Sequence, residues 1–436
     1  MARSDDANGS LTVLVLGSYN GQDSFGDKVL LRCVTMQLRA VIGDEVRFVS
    51  HVFDNLADAR RVAPDVEFHG GLMPMFRQWQ NIFRRLPAPY ALQMLFTLTS
   101  LPLWLVATRQ NRREAAETLR DIRHCSLFYF YGGTQLSQQW FRLNFPSLAL
   151  VIVAARLLGK PVYFGPQQYG PESSAQSRWL RMLIGWLVRG VRVRNTRCLK
   201  LLGLPPSKLL LDEVYSCTAR FPLHTSHPRE RSFILINLRG RNFLRADTDS
   251  EFHAFIELLE ALYRMLGLPF KLFQMSGAGF CDDTRLMAML GASGSAHLPV
   301  EVIAPFGTEH ELVDLARQAY GTVSMSFHGC VLSMIGGCPA VPITSGEYLD
   351  YKYADFDRYT GGQRAPRIAL TGSDLECEAR LVVEYFERFE SELTAMSRER
   401  AATDMKEWYR HVATECFGAD RLGTVEGGVE AEQTAG

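Results

Sequence analysis

The sequence lacks a charge excess, and it lacks the cysteine patterns of metal-binding or disulfide-linked proteins. Lys plus Arg and Asp plus Glu each number 47 among the 436 residues, so the formal net charge is zero. Such a balance argues against nucleic acid as a partner. The nine cysteines form no CxxC pair and no Cys/His spacing typical of zinc. We therefore expect reduced, buried thiols and no metal site.

The sequence also lacks the apolar core of a signal peptide, because its first residues, MARSDDANGS, are polar and acidic. This absence favours a cytoplasmic protein. One long apolar run, residues 90–107, is interrupted by Pro102 and by polar side chains, which make it a poor membrane-spanning helix. We expect a buried or lid-like helical pair there. The alternative is a peripheral contact with the inner face of the plasma membrane.

The chain is long enough for two domains, each with its own core. Strand-like apolar runs alternate with helical periods twice, before and after a stretch that carries two prolines, charges and no periodicity. The predicted fold class is α/β, with two Rossmann-like domains that face a cleft. The predicted boundaries are 11–217 for the N-terminal domain with a hydrophobic helical insert near 57–123, 218–231 for the linker, 232–373 for the C-terminal domain, 374–417 for C-terminal helices and 418–436 for a disordered tail.

Two glycine-containing loops follow predicted strands of the first domain. After the strand LTVLVL, three glycines precede a helix that we expect Asp27 to cap. The spacing of these glycines fits neither GxGxxG nor the P-loop. A later predicted strand, SLFYFY, leads directly into GGTQL, where the backbone of two glycines allows a ligand to approach closely. Simple turns with solvated side chains are the alternative interpretation of both loops.

The most informative stretch is residues 320–355, YGTVSMSFHGCVLSMIGGCPAVPITSGEYLDYKYAD. We expect a short strand at 322–325, a small-residue helix at 329–335 and a second buried strand at 338–343. His328 would then lie at a strand-to-helix junction, where ligands bind in parallel α/β sheets and where a helix N-terminus favours anions. An aromatic cluster around one lysine (EYLDYKY) follows on a predicted loop.

This stretch resembles the polysaccharide pyruvyl transferase family, in which a strand leads to a histidine, a small-residue helix and a G-x-P-x-[IV] strand. His328 matches, while Ser326 stands where many members carry arginine. The two glycine loops resemble further family motifs, with Thr134 in place of a third glycine. Arg194 and Asn195 resemble the start of the family's R-D-x-x-S, with asparagine in place of aspartate. The resemblance implies a glycosyltransferase-B-like arrangement with the active site in the cleft.

The resemblance implies a transferase that moves the pyruvyl group of phosphoenolpyruvate onto sugar hydroxyls, forming a ketal, in cell-surface or exopolysaccharide biosynthesis. It implies no cofactor, and the acceptor would be a sugar or a lipid-linked oligosaccharide. His328 is the candidate general acid–base residue, because imidazole titrates near neutrality. The candidate substrate-binding residues, whose cations would hold carboxylate and phosphate, are Asn20, Gly26, Asp27, Gly133, Thr134, Gln135, Arg194, Arg239, Arg241, Tyr348 and Lys352.

Two other functions stay open on the sequence alone. A nucleotide-sugar-dependent glycosyltransferase would share the two-domain cleft, with Glu347 and Lys352 gripping a diphosphate. A catalytically degenerate relative is suggested by the departures from the family motifs. For single residues, the alternative to a catalytic His328 is a hydrogen-bonded core histidine, and the alternative to arginine clamps is exposed loop arginines.

Overall fold

The structure, a computed structural model, describes residues 11–17, 24–52, 56–70, 109–133, 136–170, 174–217, 221, 232–239, 248–275, 291, 297–370 and 374–418. These residues form two parallel β-sheets that are covered by helices. The fold is therefore α/β with two Rossmann-like halves.

The first half of the chain forms a six-stranded parallel sheet. Its strands are β1 Thr12–Leu16, β2 Arg47–Val52, β3 Val66–Gly70, β4 Leu127–Phe130, β5 Val162–Gln167 and β6 Gly190–Val193. Its helices are α1 Phe25–Ile42, α2 Leu56–Val62, α3 Arg109–His124, α4 Gln138–Leu157, α5 Ser174–Leu187, α6 Thr196–Leu202 and α7 Glu213–Ser216. The strand order β3-β2-β1-β4-β5-β6 reverses between β1 and β4, which is the topological switch point of a Rossmann sheet.

Strand β1 shows why this half folds as a sheet covered on both faces. Its sequence, TVLVL, is apolar after the first residue, and Val13, Leu14 and Val15 are fully buried. Side chains alternate along a strand. Val13 and Val15 therefore join the core that contains Val29 of α1, while Leu14 joins the core that contains Ile122 of α3. Continuous apolar strands of this kind are typical of parallel sheets buried on both faces.

The second half forms a five-stranded parallel sheet. Its strands are β7 Phe233–Asn237, β8 Phe270–Leu272, β9 Val300–Val302, β10 Ala319–Ser324 and β11 Ala340–Pro342. Its described helices are α8 Thr248–Leu266, α9 Glu309–Gln318, α10 Phe327–Ile335 and α11 Glu347–Lys352. The order β11-β10-β7-β8-β9 places its switch point between β7 and β10. Each half thus offers a switch point, where parallel sheets bind ligands beyond the carboxyl ends of their strands.

The last helices return to the first half of the chain. They are α12 Leu375–Arg388 and α13 Ser391–Phe417. Nε1 of Trp408 donates to the hydroxyl of Tyr129 at 3.2 Å, and the hydroxyl of Tyr409 donates to Glu213 at 2.9 Å. Helix α13 is therefore bonded to both β4 and the start of α7 in the first half.

The sequence predicts a helical insert near 57–123, but the structure places a strand within this range. Within it, α2 leads to β3, which pairs in parallel with β2 and forms an edge of the sheet. The prediction missed β3 because only Val66 and Phe68 of its five residues are buried apolar side chains, too few for a clear pattern. The apolar run 90–107 lies outside the described residues, as do the tail 419–436 and the predicted linker apart from Phe221.

Two local predictions are wrong. Asp27 does not cap α1, because Ser24 holds the N-cap position and Asp27 lies in the first turn, where its charge is favourable to the helix dipole. The Tyr/Lys-rich segment after β11 is the short helix α11 rather than a loop. Tyr351 of this helix packs against Gly170 of the first half, where an added Cβ would lie 2.9 Å from the Tyr351 ring.

All eight cysteines that the structure describes are free thiols, and six of them are buried. Across the described ranges, no helix is long and apolar enough to cross a membrane.

Candidate functional site

The two halves meet where α1 follows β1 and α10 follows β10. The N–H of Phe25, the first residue of α1, donates to the carbonyl of Met275 beyond β8 at 2.9 Å. The next residue, Gly26, lies against the imidazole of His328, so that an added Cβ would come within 2.1 Å of Nδ1. Both helix N-termini favour negative charge at this point. Two predicted site residues from opposite halves, Gly26 and His328, are therefore in contact.

His328 faces a buried ion pair that the first half contributes. Its Nε2 lies 3.7 Å from Oδ1 of Asp212, which is longer than a hydrogen bond. Arg194 donates from Nη1 to Oδ2 of the same carboxylate at 2.9 Å and from Nη2 to Oε1 of Gln168. Arg194 and Asp212 are 2% and 0% exposed. Each ion therefore depends on the other, because removal of one partner would leave an uncompensated buried charge.

The carboxyl group of Asp212 stays ionised in this position. Burial alone would raise its pKa, but the adjacent imidazole of His328, the charge of Arg194 and the N–H of Val214 outweigh burial and lower the pKa to about 2. Nε2 of His328 is buried and has no hydrogen-bond partner among the described residues. This nitrogen is therefore available to bond an atom of a ligand.

The ring of Phe327 supports two cations of the site. The guanidinium carbon of Arg194 lies 4.5 Å from the ring centroid, and Nζ of Lys352 lies 5.7 Å from it. Lys352 also lies 5.8 Å from the ring centroid of Tyr348. The ring of Tyr353 packs on Phe327 with centroids 5.6 Å apart. The aromatic faces thus replace part of the hydration that these cations lose on burial.

Lys352 is a buried cation whose charge is offset only in part by the carboxylates that the structure describes. It is 8% exposed, and it forms no ion pair with a carboxylate that the structure describes. Burial and the positive charges of Arg194 and Arg239 lower its pKa well below the ordinary value, and Asp27 and Asp212 offset this effect only in part. A bound anion would favour the charged form of Lys352, so the site is suited to an anionic ligand.

Glu213 holds the Gly-Gly loop beside this site. Its Oε2 accepts the N–H of Gly132 at 2.6 Å, and its Oε1 accepts the hydroxyls of Tyr129 at 2.8 Å and Tyr409 at 2.9 Å. Burial raises the pKa of Glu213 to about 7, against the opposite effect of these three donors. Glu213, the first residue of α7, thereby joins the backbone after β4 to both α7 and α13.

The predicted site residues fall into three groups. Those that the structure brings together between the two switch points are Gly26, Asp27, Arg194, Arg239, Tyr348, Lys352 and His328. Gly133 lies in the neighbouring loop, where its φ of 144° favours glycine and its carbonyl accepts the N–H of Gln168 at 3.0 Å. The predictions that lie outside the described residues are Asn20, Thr134, Gln135 and Arg241.

Sequence reasoning missed three polar residues of the site as functional candidates: Gln168, Asp212 and Glu213. All three are 0% exposed. A signal was present, since an Asp-Glu pair directly follows the apolar run LLL, and polar residues that directly follow a buried strand often face a ligand site in parallel sheets.

A sequence model of the polysaccharide pyruvyl transferase family matches residues 38–347, which is more than half of the chain. The chain belongs to the polysaccharide pyruvyl transferase family. This finding confirms the resemblance drawn from the sequence. The matched range of this pyruvyl transferase family member includes Arg194, Asp212, Arg239 and His328. No curated protein matches the chain in sequence.

Solved structures share the fold of this family member at low sequence identity. The S. aureus MnaA–UDP co-structure has a TM-score of 0.58 at 8% identity, over 94% of this chain and 98% of that one. The UDP-N-acetylglucosamine 2-epimerase from Rickettsia bellii has a TM-score of 0.54 at 12% identity, over 93% and 97%. Anabaena Alr3699/HepE in complex with UDP and glucose has a TM-score of 0.52 at 11% identity, over 93% and 96%. These likenesses confirm the glycosyltransferase-B-like fold.

Proposed function

We propose that this protein transfers the pyruvyl group of phosphoenolpyruvate to two hydroxyls of a sugar, forming a ketal and releasing phosphate. The observation that carries the proposal is the buried cationic site beside His328, in which Lys352 pairs with no described carboxylate. Phosphoenolpyruvate carries a carboxylate and a phosphate close together, and these groups supply the negative charge that such a site favours. Membership of the pyruvyl transferase family supports the same donor.

The reaction sets three demands on the site. A proton must add to the methylene carbon of the donor, which leaves positive charge on its middle carbon. One sugar hydroxyl then bonds to that carbon, and a second hydroxyl replaces the phosphate. Of the two hydroxyl protons, one reprotonates the acid that gave its proton to the methylene carbon. The other leaves with the phosphate. The protein must therefore supply an acid, a base and cations for the moving charge.

His328 is suited to the acid–base role. Its buried Nε2 has no hydrogen bond within the described part of the chain, and Oδ1 of Asp212 lies 3.7 Å away. Arg194 forms a 2.9 Å ion pair with Asp212. Both terminal nitrogens of Arg194 already bond protein groups, so we assign it a positioning role. Lys352 and Arg239 then bind the carboxylate and the phosphate of the donor.

The acceptor in this proposal is a sugar or a lipid-linked oligosaccharide, and the process is cell-surface or exopolysaccharide biosynthesis. Family membership supports this assignment. We further propose that the reaction takes place in the cytoplasm. A lipid-linked acceptor would bring the protein to the inner face of the plasma membrane, with no cofactor needed beyond the donor itself.

A second candidate is glycosyl transfer from a nucleotide sugar. It is favoured by one observation, that two similar solved structures hold UDP. The same cations would grip a diphosphate, since phosphate and carboxylate share the chemistry of charge-assisted hydrogen bonds. The two candidates differ in the small anion that binds, so ligand binding distinguishes them.

Thermal unfolding with phosphoenolpyruvate, and separately with UDP and GDP, tests the proposal. A ligand of the folded state raises the unfolding midpoint by mass action. We expect phosphoenolpyruvate to raise the midpoint of the wild type and of the exposed control Lys406→Met, and to leave that of Lys352→Met unchanged. A rise with UDP or GDP alone would replace pyruvyl transfer by glycosyl transfer. No rise with phosphoenolpyruvate would overturn the proposal.

The chemical step is tested by phosphate release with candidate sugar acceptors. We expect His328→Gln to retain the midpoint rise with phosphoenolpyruvate and to lose phosphate release by at least about 100-fold, the range ascribed to general acid–base groups. Loss of the midpoint rise in this variant would instead place His328 in donor binding.

A further inference from the structure

Two histidines and one aspartate converge beneath α3, outside the site described above. His51 and His69 are register partners on β2 and β3, so their side chains leave the same face of the sheet. Asp121 comes from α3, which packs against β3. Nε2 of His51 and Nδ1 of His69 lie 2.9 Å and 2.8 Å from the same atom, Oδ2 of Asp121. Neither the sequence prediction nor the proposed reaction uses these three residues.

We propose that His51, His69 and Asp121 bind one divalent cation of the zinc class. Their ligand atoms all lie within 4.8 Å of one another. Two imidazole nitrogens and one carboxylate oxygen form a donor set that zinc takes in three-ligand sites, with a fourth position for water. Ligands about 2.0–2.1 Å from a tetrahedral metal lie about 3.3 Å apart, so a small outward movement of the imidazoles admits the ion.

A second carboxylate is placed to orient His69 toward a bound metal. Nε2 of His69 lies 2.8 Å from Oε1 of Glu67. With a metal on Nδ1, a neutral His69 donates Nε2–H to Glu67. A carboxylate that accepts the outer N–H of a bound histidine is the usual arrangement around protein-bound zinc.

Burial limits the competition of water at this cluster. His51 and Asp121 are 5% and 7% exposed, and His69 is half-buried. Cys125 lies one turn beyond Asp121, but its thiol donates to the carbonyl of Ile122 at 3.2 Å. The proposed ligands are therefore nitrogen and oxygen only. A bound ion would join β2, the edge strand β3 and α3, and it would stabilise this edge of the first sheet.

The test uses the full-length protein without a polyhistidine tag, treated with a chelator and then titrated with Zn²⁺ or Co²⁺. We expect one equivalent to bind and to raise the unfolding midpoint. X-ray absorption of the wild-type zinc form should show nitrogen and oxygen ligands at about 2.0–2.1 Å and no sulfur. His69→Gln and Asp121→Asn should lose the site, and Glu67→Gln should weaken metal affinity by about 10–100-fold. The exposed His253→Gln is the matched control and should bind as the wild type does.

Three results would overturn the proposal: no zinc bound by the wild type, a sulfur ligand in the absorption spectrum, or equal affinity in the wild type and in Glu67→Gln. The first two need only the wild-type protein, so they decide the question even where a ligand variant fails to fold. The test does not depend on the catalytic proposal, because it measures metal content and stability.

Discussion

Gly26 of α1 lies so close to His328 of α10 that a Cβ at position 26 would sit 2.1 Å from Nδ1 of the imidazole. The contact joins the first turns of the helices that follow the switch-point strands β1 and β10. Only glycine leaves room for the ring there, so a residue of the first half determines where the imidazole of the second half lies.

Gly26→Ala is expected to displace His328 and to lower kcat for phosphate release by about 100-fold, since a misplacement of about 1 Å has that effect in active sites. Gly185→Ala on α5 is the matched control, because an added Cβ meets nothing within 4 Å there. The control should keep wild-type kcat and gain up to about 1 kcal/mol of stability from better helix propensity. Equal kcat in the two variants would show that this contact does not position the catalytic group.

Arg194→Met is expected to lower the free energy of unfolding by about 3–5 kcal/mol, because it leaves the carboxylate of Asp212 buried without its cation. Urea unfolding measures the change. The double variant Arg194→Met with Asp212→Asn should recover part of the loss, since it removes both charges. The matched control is Asp65→Asn. Nη1 of Arg39 lies 2.7 Å from Oδ2 of Asp65, and the Asp65 side chain is 63% exposed. That change should lower stability by less than about 1 kcal/mol, and a loss as large as that of Arg194→Met would contradict the argument from burial.

Glu213 should make the protein less stable as pH rises. Its pKa is about 7 in the folded protein and 4.5 as the ordinary value. The folded state therefore holds the proton more tightly, so this group's contribution to stability is full below about pH 4.5, declines between about 4.5 and 7, and stays at its lower value above. Glu213→Gln, which cannot ionise, should remove this decline. Urea unfolding at about pH 5 and about pH 8 measures it.

The exposed Glu407→Gln on α13 is the control for this pH effect. It should show the same loss of stability between the two pH values as the wild type. If Glu213→Gln also keeps the wild-type loss, another group is responsible for it.

Binding of phosphoenolpyruvate should weaken in alkaline solution because the pKa of Lys352 is lowered in the free protein. Above that pKa, binding of the anion requires uptake of a proton, so the apparent Kd should rise by up to about tenfold per pH unit. Lys352→Arg keeps its charge at every pH used, so its Kd should change less. Calorimetric titration over a range of pH measures both. An identical pH dependence in the wild type and in Lys352→Arg would assign the titration to a different group.

The sequence predicted much of the fold because the strands around the switch points are short, continuous apolar runs between glycine or polar residues. Strands β1, β7 and β10 were found this way, and so was the junction that carries His328. Edge strand β3 was missed, since only two of its five residues are buried and the apolar pattern is weak. Helix α11 was not predicted because its six residues are too few to show a helical period.

Motif and residue type by themselves determined the family of this protein, its α/β class and the choice of His328 as the acid–base candidate. They also identified Lys352 and Arg239 as possible cations of the site. Only the tertiary structure decided which charges meet, because Arg194 is paired with Asp212 while Lys352 pairs with no described carboxylate. The same holds for His51, His69 and Asp121, which lie far apart in the chain and meet on one face of a sheet. Charge compensation in a buried site depends on distances between distant segments, and periodicity along the chain does not encode those distances.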